Sequence, residues 1–261
     1  MSSKRSKATR REEAHAASAR AAAIRREHER SERRRRTIAV SAAVVVVLAL
    51  IFGIGYAVQS SRDTTGASAS APQGVVSKFG IPVGQSSAPA QVTVYEDFMC
   101  PVCGEFEKAS RSWVKQYVDK GKMRVSYHVI SILDRASNGT DYSTRAANAA
   151  AVVLDTSGPT VAKKFHDLLY ENQPAEGSDG LSDQQLIDFA VQAGAPKDKI
   201  TQPIKDLKYE QWVVNATDYA SKQPGFQGTP TVYVDGKQVT GYQTMDQLSA
   251  LLKQTVDAKQ G

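Results

Sequence analysis

Cys100 and Cys103 are the whole thiol content of a 261-residue chain, and only Pro101 and Val102 separate them. The stretch before them, Val92 to Phe98, alternates β-branched and aromatic residues and reads as a strand. The stretch after them, Gly104 to Asp119, spaces Phe106, Trp113, Val114 and Tyr117 mostly as a helix does. The pair therefore sits at a strand-to-helix junction, with Pro101 suited to the first helical turn. A sulfur there faces unpaired backbone N–H groups and the positive end of the helix dipole, which favours the thiolate. Such a cysteine can titrate at about 3.5–7.5 instead of about 8.5. Cys103, one turn on, can reach back to close a disulfide. Thiol–disulfide exchange needs this arrangement: an exposed attacking thiolate, Cys100, and a resolving partner, Cys103.

Two other uses of a cysteine pair fit less well. A purely structural disulfide between residues so close in sequence closes a tiny loop and removes little chain entropy. A zinc site needs about four ligands, and no second CxxC exists; His128 and His166 lie too far apart for a zinc-finger spacing, so no metal is expected.

A second feature lies far downstream. Gly228-Thr229-Pro230-Thr231 leads into Val232-Tyr233-Val234, an Asp235-Gly236 turn and a second strand through Lys237 to Gly241. Together with Glu96-Asp97-Phe98-x-Cys100-Pro101-x-Cys103 and Gly84-x-x-x-Ala88-Pro89, this resembles the thioredoxin fold, and more narrowly the DsbA-like thiol–disulfide oxidoreductases. The segments Leu133-Asp134-Arg135 and Tyr142 to Ala149 are similar to the membrane-anchored members from actinobacteria. The resemblance covers residues 75–261. It implies an α/β thioredoxin fold with an inserted all-helical region, preceded here by a single transmembrane helix. It also implies a cis bond at Thr229–Pro230 packed beside the CxxC, and a thiol–disulfide exchange activity that needs no free cofactor.

The rest of the chain places that domain. Residues 1–36 carry a net charge of +8, and the remainder carries −2, so the basic balance belongs to the tail. Arg33 to Arg36 could serve nucleic acid, but the following segment favours a positive-inside flank that also attracts anionic lipid, and no nucleic acid is expected. Thr37 to Val58 is 22 residues without a charge, and ~20 suffice to span a bilayer. We read 1–36 as a cytoplasmic tail, 37–58 as an uncleaved membrane anchor, and everything beyond as extracytoplasmic; a cleaved signal peptide is the alternative. Gln59 to Gly74, rich in Ser, Thr, Ala and Gly, reads as a flexible linker. An oxidising compartment suits a dithiol catalyst.

Within the domain, 75–83 reads as an edge strand, 123–130 as a second central strand, and 140–222 as helical, with Ser182 as an N-cap. Met245 to Val256 makes the final helix. Glu96 and Asp97 are proton-relay candidates for Cys103, pointing to opposite strand faces so that no more than one serves. His128 reads as a packed histidine. Asp134 and Arg135 pair with each other or with neighbours. Thr229 and Pro230 would present a backbone edge to substrate. Val102 departs from the histidine that strongly oxidising relatives often carry there, which leaves the direction of electron flow open. The expected function is disulfide formation in exported proteins with free thiols, recycled by a membrane quinone-linked reoxidase. A reductase or isomerase of the same fold is the alternative, and a non-catalytic binding module a third.

Overall fold

The computed structural model describes residues 66–260. The basic tail and the expected spanning helix at 37–58 lie outside the described residues. Among the described residues, no helix is long and apolar enough to cross a membrane.

A five-stranded sheet in the order β1-β3-β2-β4-β5 carries the domain. Its strands are β1 (Ile81–Val83), β2 (Ala90–Glu96), β3 (Met123–Val129), β4 (Thr231–Val234) and β5 (Lys237–Gln238). β2 runs parallel to β3 and antiparallel to β4, which places it at the centre of the sheet. The helix α1 (Pro101–Asp119) makes the crossover from β2 to β3, as a parallel pair requires. This is a thioredoxin-type βαβ unit followed by a ββα unit, closed by α6 (Met245–Asp257).

Between the halves lie α2 (Tyr142–Glu171), α3 (Asp183–Ala193), α4 (Lys197–Lys205) and α5 (Glu210–Ser221). α2 is two arms joined at a kink, where Gly158 leaves helical geometry at φ 76° just before Pro159. The Ser182 hydroxyl caps α3 by accepting from the Gln185 N–H at 3.3 Å, within a full capping box. One apolar core runs from the sheet (Val92, Val94, Val125) into α1 (Phe106), α2 (Phe165, Leu169) and α6 (Leu248, Leu252).

Three local expectations change. The first strand, expected over 75–83, is reduced to Ile81–Val83 plus a bridge between Val76 and Gly80. Left-handed Ser77 and Lys78 turn the chain between them, and Pro82 is tolerated because β1 is an edge. The strand before the cysteines ends at Glu96 instead of Phe98, and the helix begins at Pro101, ahead of Gly104. Finally, the end of the stretch read as a flexible linker is fixed from Gly66 onward. The Asn215 side chain bonds Gly66 N–H and the Ala67 carbonyl at 2.9 and 2.8 Å, and Asp155 accepts from Gln73 N–H at 3.0 Å.

Candidate active site

The turn Asp97–Met99 carries the chain from β2 into α1, with Cys100 as the helix N-cap and Pro101 in the first turn. The Cys103 and Gly104 N–H groups donate to the Cys100 carbonyl at 3.1 and 3.3 Å. Neither cysteine is disulfide-bonded, so the site is the reduced dithiol. Cys100 was expected to be exposed; it is only 5 % accessible, and Cys103 is fully buried. The reason is the facing loop. The Thr229–Pro230 peptide is cis, and the Cys100 thiol donates to the Thr229 carbonyl at 3.4 Å. Val102 points outward and is 40 % exposed.

The two sulfurs are electrostatically unlike. Cys100 is brought down to about 7, chiefly by a hydrogen bond from the Cys103 thiol. Burial opposes that shift, while Thr229 and the Cys103 backbone N–H add to it. The Thr229 hydroxyl is buried with no other hydrogen-bond partner, and so is available to the thiolate. Cys103 goes the other way, well above its ordinary value, first through burial and then through Cys100. An easily ionised thiol at the helix N-terminus and a reluctant one buried behind it form an attacking and a resolving pair.

Glu96 and Asp97 are both buried, and their uses diverge. Asp97 is a strut. Its Oδ1 accepts from Met99 N–H at 2.8 Å and from the Ser143 hydroxyl at 2.6 Å. Its Oδ2 accepts from Ile132 and Leu133 N–H at 2.9 and 3.0 Å. Burial nonetheless raises it to about 6. Glu96 instead meets His166, with Oε1 2.6 Å from Nε2.

His128 is packed, with Nε2 3.1 Å from Ser126 Oγ, and burial lowers it to about 4. Asp134 accepts from the Thr144 N–H and hydroxyl at 2.9 and 2.6 Å, so it bonds to the start of α2.

Glu96, Glu107 and His166 form one buried cluster among the described residues. Lys163 and Arg111 bring positive charge to it, and Glu96 meets the imidazole Nε2, so the group is arranged as an ion-pair cluster.

Several residues at the site had no signal in the sequence reading. Gln173, just past α2, donates from its amide to the Phe98 and Cys100 carbonyls at 3.1 and 2.9 Å. A Cβ at Gly104 would come within 2.1 Å of the Gln173 side-chain oxygen. His166 and Tyr170 come from the helical insertion, and only the fold brings them here. Glu107 was legible in principle, since it lies four residues after Cys103 on the same helical face.

Comparison with known proteins agrees with this geometry. The thioredoxin family model matches residues 77–254. The serine/threonine-protein kinase PknE of Mycobacterium tuberculosis is 31% identical over 180 residues, which is 66% of this chain and 31% of the kinase. The chain thus spans about a third of the length of that curated relative. Among solved structures, the reduced disulfide bond oxidoreductase DsbG of M. tuberculosis is 32% identical, with a TM-score of 0.57 over 69% of this chain and 91% of that one. DsbA of the same organism is 30% identical, with a TM-score of 0.56 over 69% and 96%.

Proposed function

The chain belongs to the thioredoxin family and is a DsbA-type protein-disulfide oxidoreductase, and from that premise we propose that it forms disulfides in exported proteins. One observation carries this reading: the Cys100 sulfur, lowered to about 7, sits at a helix N-terminus above a buried Cys103 thiol. A stabilised Cys100 thiolate is a good leaving group and makes the reduced enzyme the preferred state, so the oxidised enzyme gives its disulfide away.

In this scheme a substrate thiolate attacks the Cys100 sulfur of the oxidised enzyme, and Cys103 leaves and takes up a proton. A second substrate thiolate then attacks the substrate sulfur of the mixed disulfide and releases Cys100 as a thiolate. The substrate loses two electrons and the enzyme gains them. The Thr229 carbonyl, which accepts from the Cys100 thiol in the reduced form, has no such donor once that sulfur is in a disulfide. It is then free to accept a substrate backbone N–H as an added strand. Pro230 holds that edge, Pro101 starts the helix, and exposed Val102 offers an apolar contact.

The proposed compartment draws on the sequence. Arg33–Arg36 followed by the uncharged stretch 37–58 supports a single-pass anchor with the catalytic domain outside. A membrane quinone-linked protein would take the electrons onward. The second reading, a reductase or isomerase, draws on Val102, which offers Cys100 no hydrogen bond. Equilibration against glutathione decides between them. A potential above about −180 mV supports the oxidase, and one near about −270 mV hands the site to the reductase reading.

A further inference from the structure

Cys103 must lose a proton to attack a mixed disulfide and regain one when it leaves. It is fully buried, so water cannot serve it directly. Glu107 follows it on the same buried face of α1, and Glu96 and His166 meet Glu107 there. The second carboxylate oxygens, Glu96 Oε2 and Glu107 Oε2, are buried without a hydrogen-bond partner. Burial and then Cys100 raise the Cys103 thiol, and the Glu96 carboxylate adds a smaller push in the same direction.

The imidazole continues the line outward. His166 Nε2 lies 2.6 Å from Glu96 Oε1, and Nδ1 lies 3.5 Å from Asp167 Oδ1 without a hydrogen bond. The Asp167 side chain is 27% exposed. With Arg111 and Lys163, Asp167 lines a surface cavity of ≈ 620 Å³. Tyr127, Tyr170 and Phe98 enclose the imidazole, with centroids at 4.5, 5.0 and 5.7 Å. The charged groups facing the imidazole are Glu96 from β2, Glu107 and Arg111 from α1, and Lys163 and Asp167 from α2. Three acids thus face two permanent cations, and a proton on His166 completes the balance. Burial would strip that proton, but Glu96 reverses the effect and raises His166 to about 9.

We infer that His166 is the positioning residue that connects Glu96 to solvent, so that the Cys103 proton leaves and returns through Glu96, His166 and Asp167. When Cys103 ionises, Glu96 Oε2 accepts its proton. The neutralised carboxyl no longer holds an imidazolium, and His166 gives its Nδ1 proton to Asp167 and thence to water. One proton has moved from Cys103 to bulk. The same steps run backwards when Cys103 leaves a disulfide, which restores the ionised pair. The helical insertion therefore supplies the outer half of the proton route.

This rests on Cys103 being the resolving thiol, and the test separates the two ideas. A thionitrobenzoate mixed disulfide is placed on Cys100 of the full-length protein, and its release by Cys103 is followed by stopped flow across pH. If the unaltered protein releases none, Cys103 does not resolve and the underlying reading fails. If it releases normally, His166→Ala and Asp167→Asn should slow release by roughly 10–100-fold, less than the ~10²–10⁴-fold of a directly acting group. Added imidazole should restore His166→Ala, and the reduction potential should stay in place. Wild-type release in both variants would overturn the proposal. So would a slowing in His166→Ala that imidazole leaves untouched while the potential moves. Asp167→Asn, at a partly exposed position, keeps the test open should His166→Ala fail to fold.

Discussion

The Cys100 sulfur and the Thr229 carbonyl oxygen, 129 residues apart in sequence, lie 3.4 Å from each other. That contact fixes the loop before β4 over the sulfur and brings the Thr229 hydroxyl within reach of the thiolate. Thr229→Val keeps the carbonyl and removes the hydroxyl. A hydrogen bond to a charged group contributes about 1.5–3 kcal/mol, shared here among several donors, so the Cys100 midpoint should rise by about one pH unit. Ultraviolet absorbance of the thiolate against pH reads this directly; an unmoved midpoint removes the hydroxyl from the account.

Gly104 is small because Gln173 occupies the space beside it. Gly104→Ala should displace the Gln173 amide from the Phe98 and Cys100 carbonyls and lower stability by about 1–2 kcal/mol. Gln173→Ala alone should cost about 1 kcal/mol, and the double variant less than the sum, because one contact is lost twice over. Urea unfolding of the three variants measures the coupling, and additive losses would contradict it.

Asp97 accepts four hydrogen bonds, two on each oxygen. Asn can reproduce one oxygen but turns its amide toward N–H donors. Asp97→Asn should therefore lower stability by about 2–3 kcal/mol. Cys103 should still resolve the mixed disulfide, because the carboxylate spends its hydrogen bonds on Met99, Ile132, Leu133 and Ser143 and none on Cys103 or Glu96. A stable variant with blocked resolution would return Asp97 to the relay.

Stability should also depend on redox state and pH together. Cys100 is held near 7 in the folded reduced protein against an ordinary 9.0. A depressed acid contributes its stability above the unfolded value and loses it as pH falls through the folded one. From pH ~6 to ~8.5 the reduced form should gain on the oxidised form, by on the order of 1–2 kcal/mol after screening. Comparing the two forms cancels the Glu96–His166 pair, which holds the same number of protons in both. Paired thermal melts with a constant gap across that range would contradict the depressed thiol.

Local chemistry made much of this readable beforehand. The CPVC spacing, the strand before it and the Thr-Pro entry to β4 each act over a few residues, and they located both halves of the fold. What stayed hidden depends on long-range packing. Nothing around His166 marks it as a partner for Glu96, 70 residues away. Gln173 looks like an ordinary loop residue until α2 folds back across Gly104. Cys100 was read as exposed because the helix N-terminus alone leaves it so; the Thr229–Pro230 loop that covers it comes from the other half of the chain. Glu96 and Asp97 were separated by strand alternation, yet the insertion buries both faces, and hydrogen bonding, not exposure, distinguishes their uses.

The central claim is that Cys100 attacks and Cys103 resolves. Alkylation of the reduced protein, with each cysteine quantified separately by mass spectrometry across pH, tests it most directly. Cys100 should react first, with a midpoint near about 7, while Cys103 stays unmodified until the protein unfolds. Equal labelling of both sulfurs, or labelling of Cys103 ahead of Cys100, would contradict the account.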